Sequence, residues 1–82
     1  MLQPVLIHVK ALKSNKLELE YETGERKIFD VTPYICGTWF GELKDERYFG
    51  TVHLLPGGTG IEWENRQDIA PHELYELSTI VV

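Results

Sequence analysis

The sequence predicts a small α+β domain. It has an antiparallel sheet of about four to five strands, opened by an N-terminal three-stranded meander, and two short helical segments, one near the C-terminus. Three observations predict it. Leu17, Leu19 and Tyr21 alternate with Lys16, Glu18, Glu20 and Glu22, so one strand face is apolar and the other is charged. Turn chemistry flanks this stretch, with Ser14-Asn15 before it and Thr23-Gly24 after it. Near the end, Pro71 stands where a first helical residue loses nothing by lacking an N–H.

In chain order, Val5, Ile7, Val9 and Ala11 alternate with Leu6, His8, Lys10 and Leu12, and the β-branched set marks the buried face of a first strand. This alternation leaves Leu6 and Leu12 outward. The second strand is Lys16 to Glu22. The third runs from Arg26 to Val31, with Phe29 and Val31 inward and Ile28 outward. Thr32-Pro33 ends it, because Pro donates nothing to a ladder. Thr38 is expected to cap a helical turn carrying Trp39, Phe40 and Leu43, and Asp45 a second turn through Phe49. Gly41 keeps these pieces short, and Trp39, Phe40, Leu43 and Phe49 form a lid over the sheet. Thr51 to Leu55 and Thr59 to Glu64 read as further strands across the turn Pro56-Gly57-Gly58. Asn65-Arg66-Gln67 is a polar loop. The last helix spans Pro71 to about Leu77, with Ala70 at the cap position and Ile69 and Leu74 at staple spacing. Asp68 is expected to receive the free amides of that helix start. Ile80-Val81-Val82 adds an edge strand or packs on the core.

Eighty-two residues allow one domain, residues 1–82, and little room for an internal cavity. The net charge of -5 disfavours contact with a phosphate backbone, so direct nucleic-acid binding is not expected. Cys36 is the only cysteine, which excludes an intrachain disulfide and reads as a small buried hydrophobe. The N-terminus lacks the pattern of a signal peptide and no apolar stretch reaches membrane-helix length. The expectation is a cytoplasmic protein.

Trp63 to Glu76 carries the most specific signature. With Pro4-Val5, the hairpin Leu17 to Tyr21, Gly24-Glu25, Phe29-Asp30-Val31, Phe40, Leu43 and Phe49, it resembles the bacterial domain-of-unknown-function family 2442. The residues of its final block are Trp63, Asn65, Asp68, Ile69, Pro71, Leu74, Tyr75 and Glu76. The resemblance implies a small prokaryotic domain, often encoded beside a second small protein in a toxin–antitoxin-like arrangement. Some relatives are fused to a C-terminal helix-turn-helix, for which this chain has no room. A short polar turn accounts for Asn65 and Asp68, which bond nearby backbone.

Catalytic, cofactor and metal sites are not expected. His8, His53 and His72 lie on different elements without metal-ligand spacing. Cys36 before Gly37 could be imagined as a nucleophile with His53, but a free Cys reads more readily as a small buried hydrophobe. Glu62 and Glu64 share a wet strand face rather than an acid–base pair. Gly57-Gly58-Thr59-Gly60 lacks the Lys-Ser/Thr and following helix of a phosphate loop. The favoured function is a non-catalytic protein-interaction module, the antidote-like or accessory half of a two-gene pair. Its contact surface is Leu6, Leu12, Ile28 and Tyr75. A small protein partner from a neighbouring gene is expected, and homodimerisation through a sheet edge is compatible. The alternatives are a transcription-associated regulator acting with a DNA-binding partner and a small ligand-binding protein or enzyme.

Overall fold

Alternating side chains and tight turns build the first sheet. The structure, a computed structural model, describes residues 3–81, with the side chains of Thr38 and Trp39 left aside. Strands β1 (Leu6–Leu12), β2 (Lys16–Tyr21) and β3 (Arg26–Asp30) form the expected antiparallel meander. Leu17, Leu19, Tyr21 and Phe29 are buried on one face. Glu18, Glu20 and Arg26 share the other, where Arg26 pairs with Glu18 at 2.9 Å. Ser14 and Asn15 take positive φ in the first turn, at 61° and 57°. Asn15 is held there because its Nδ2 donates to the Leu43 carbonyl at 2.7 Å.

The alternation of β1 does not run unbroken. Leu6 faces Tyr21 and His8 faces Glu20, so Ile7 is an extra residue in a bulge. The bulge reverses the parity of everything before it. Leu6 is therefore buried at 3% exposure and Ile7 stands out at 51%, the opposite of the uninterrupted pattern. Val9 and Ala11 face Leu19 and Leu17 and pack on the core.

Beyond β3 the chain turns at Thr32–Tyr34 and enters α1 (Gly37–Gly41), a tight turn at Glu42–Lys44, and α2 (Glu46–Phe49). Asp45 caps α2 as expected, its side chain accepting the Arg47 amide at 2.9 Å. Thr38 falls inside α1 instead of preceding it, since Gly37 with φ 70° already makes the sharp entry. Of the expected lid, Leu43 and Phe49 are fully in the core and Phe40 packs against it, while the Trp39 side chain lies outside the described residues. Cys36 is exposed, because the turn before α1 leaves it at the surface.

The remaining strands are shorter than the sequence suggests and form a second sheet. β4 (His53–Leu54), β5 (Ile61–Glu62) and β6 (Asp68–Ile69) pair in that order, all antiparallel. Gly57, Gly58 and Gly60, with φ of 75°, 66° and 147°, curl the chain between β4 and β5. The ladder is therefore cut to two residues on each side. α3 (Pro71–Leu77) follows with Ala70 at its cap position and no side-chain cap bond. Asp68 does not cap it, because it is committed to β6 and exposed. Ile69 and Leu74 are both buried. β7 (Thr79–Ile80) then returns to β3, giving the first sheet the order β1-β2-β3-β7. Val82 lies outside the described residues. The core fills the space between the two sheets, the middle segment and α3, with Trp63, Ile61, Leu43 and Leu74 fully enclosed.

Candidate interaction surface

The Trp63–Glu76 block splits into an inward and an outward half. Trp63 is fully buried and its Nε1 donates to the Phe49 carbonyl at 2.8 Å, the two rings lying 5.7 Å apart. The loop after it folds on itself: the Trp63 amide donates to the Gln67 carbonyl and the Arg66 amide to the Trp63 carbonyl, both at 2.9 Å. Arg66 takes φ 68° to make that reversal.

This loop is also tied to the middle segment by a polar network. Gln67 is fully buried. Its Oε1 accepts the Tyr48 hydroxyl at 2.5 Å and its Nε2 donates to Glu42 at 2.9 Å. Asn65 donates through Nδ2 to both Glu42 oxygens, at 3.0 and 2.9 Å, and through its amide to the Tyr48 oxygen at 2.7 Å. Asn65 thus acts across 23 residues of sequence. A buried amide must be satisfied, and here one carboxylate and one phenol satisfy it.

Tyr75 belongs to a second cluster, under α3. Lys27 is buried at 6% exposure, donates its Nζ to the Tyr75 carbonyl and sits 4.0 Å from the centre of the Tyr75 ring. The Tyr75 hydroxyl donates to Glu25 at 2.9 Å, which raises its pKa above the ordinary phenol value. The ring also meets Tyr21 edge-on at 5.1 Å. Burial pushes Tyr21 up to about 12. Both clusters are internal ties more than open surfaces. Neither Lys27 nor Gln67 is visible from sequence periodicity, because a polar residue at an inward position reads as a break in the pattern.

Of the residues expected to form a contact surface, Leu6 is corrected to the core by the Ile7 bulge, while Leu12, Ile28 and Tyr75 are half-buried. The apolar side chains that reach solvent are others. Val5 and Ile7 stand beside one edge of the first sheet, and Leu77, Ile80 and Val81 at or near the opposite edge. Leu77 is the most exposed of them at 65%. Its position four residues after Glu73, on one helix face, was the signal available in the sequence.

A groove of about 270 Å³ opens beside Leu77, lined among the described residues by Phe29, Asp30, Pro33, Tyr34 and Leu77. The Tyr34 hydroxyl donates to Glu73 at 2.7 Å, which ties the groove wall to α3 and pushes Tyr34 up to about 12. Hydrogen bonds from Thr32 hold Asp30 below the usual carboxylate range. A wider groove of about 430 Å³ lies at the β1–β2 turn between Asn15, Lys13, Lys44 and Glu46, with mixed charge.

His8, His53 and His72 are all exposed. Among the described residues no group of three or more His, Cys, Asp or Glu converges as metal ligands. His53 instead meets Glu62 at 3.1 Å, and hydrogen bonds to the Thr51 carbonyl and Glu62 raise its pKa. Among the described residues no helix is long and apolar enough to cross a membrane.

A search of curated proteins returns no match. A search of solved structures returns none either. The family described as "Protein of unknown function (DUF2442)" matches residues 6–79. That span covers all three meander strands, both polar clusters and the whole Trp63–Glu76 block, and the chain belongs to this family.

Proposed function

We propose that the chain is a non-catalytic, cytoplasmic protein-interaction module, the antidote-like or accessory half of a two-gene pair. The observation that carries this reading is the distribution of exposed apolar residues. Ile7 lies on one edge strand of the first sheet and Ile80 on the other, with Leu77 and Val81 close to the second. Edge strands are the places where a sheet accepts another chain, and apolar side chains there favour burial. The net charge of -5 adds a preference for a basic partner through electrostatic complementarity.

Co-expression with the product of the adjacent gene, followed by size-exclusion chromatography with light scattering, tests the reading. A stoichiometric complex that resists dilution is expected. Two species eluting separately at micromolar concentration would remove its main support.

A further inference from the structure

The geometry points to the groove between β3, the Thr32–Tyr34 turn and the end of α3 as a docking site for one large apolar side chain carried beside a lysine or arginine on a protein partner. The inference rests on the interaction-module reading and deepens it.

Three observations select this occupant. The groove is small, about 270 Å³, below the usual range for a metabolite pocket but ample for a side chain. Its floor and walls are apolar where Phe29, Pro33 and Leu77 line it, and Leu77 leaves 65% of its surface in solvent. The charges beside it are carboxylates. Asp30 lines the groove, its carboxyl held below the usual range by hydrogen bonds from Thr32, and Glu73 holds Tyr34 in place with one oxygen. α3 carries no basic residue of its own in its last turn, where Lys27 from β3 donates to the Tyr75 carbonyl. Lys16 stands opposite Asp30 on the neighbouring strand. An apolar slot with the Asp30 carboxylate in its wall and Glu73 behind Tyr34 fits a side chain such as Leu or Phe flanked by a cation, with the cation fixing orientation more than affinity. An acidic partner segment would meet the like charge of Asp30 in the slot wall.

Selection from a displayed library of random 12-residue peptides tests this, run in parallel on wild-type protein and on Leu77→Asp. Position 77 is exposed, so the variant keeps the core intact; its unfolding midpoint confirms that. Wild type is expected to enrich peptides with Lys or Arg next to Leu, Phe or Trp. Leu77→Asp is expected to bind the same peptides about tenfold or more weakly. Amide shifts on adding an enriched peptide should centre on Phe29, Asp30, Tyr34 and Leu77. Equal binding to both proteins, enrichment of acidic peptides, or shifts centred elsewhere would overturn the assignment. So would a wild-type homodimer that protects Leu77. The module reading fails separately, if the adjacent gene product forms no complex. A complex that forms with undiminished affinity to Leu77→Asp leaves the module standing and removes the groove.

Discussion

At the scale of single residues, the contacts with least freedom are those where a polar atom or a backbone angle has one solution. Trp63 donates its indole N–H to the Phe49 carbonyl in the core. Trp63→Phe removes the donor, strands that carbonyl and leaves a void. It should destabilise the fold by about 2 kcal/mol or more, read from the urea midpoint. Gly58 is a second such point. A Cβ there would stand 2.6 Å from the Leu6 carbonyl oxygen, on a backbone with φ +66°. Gly58→Ala is expected to cost about 2 kcal/mol or more, whereas Gly24→Ala, with nothing within 4 Å, meets only the backbone term of about 1–2 kcal/mol. His53 gives a prediction in pH. Its pKa is raised from 6.5 by the Thr51 carbonyl and Glu62. A raised histidine contributes stability below its unfolded value, and that contribution fades as pH rises through the folded value. An NMR titration should place the His53 midpoint above 6.5, and Glu62→Gln should lower it.

At the scale of elements, what was legible in the sequence followed from strict periodicity and turn chemistry. Leu17, Leu19 and Tyr21 fixed β2, Asp45 fixed the start of α2, and Pro71 fixed the start of α3. What was not legible depends on partners distant in sequence. The Ile7 bulge exists only relative to β2, so the alternation of β1 pointed Leu6 to the wrong side. Gln67 and Lys27 are buried because Glu42, Tyr48 and Tyr75 reach them from other elements, and no local pattern encodes that. Leu6 leaves the expected contact surface for the same reason, and Leu77 and Ile7 show their exposure only once the elements are assembled. The bulge itself is testable. Deleting Ile7 leaves Leu6 opposite Tyr21 and Val9 opposite Leu19 with His8 alone between them, a regular ladder. That deletion should keep a dispersed NMR spectrum and lose less than about 1 kcal/mol. Deleting Lys10 breaks the register with Leu17 and Leu19 and should lose more than about 2 kcal/mol.

At the scale of the whole molecule, the two sheets are held by a core that the short strands alone would not supply. Isolated two-residue ladders such as β4–β5 are marginal, and burial of Ile61, Trp63 and Ile69 against the first sheet stabilises them instead. β7 has a different role. Its Ile80 is 58% exposed, so it adds little apolar burial, yet it covers the backbone edge of β3. The Val81 amide donates to the Arg26 carbonyl at 2.8 Å, and Thr79 and Ile80 pair with Ile28 and Lys27. Removing residues 79–82 should therefore cost only about 2 kcal/mol, a few hydrogen bonds at about 1 kcal/mol each. The larger consequence is association. The uncovered edge of β3 is longer than β7, carries Ile28 and faces a second copy with the same edge free. Light scattering across a dilution series should show the truncated chain forming dimers or larger species at concentrations where the full chain does not. If both behave alike, β7 is not the guard of that edge, and its exposed Ile80 is better read as part of a surface that a partner covers.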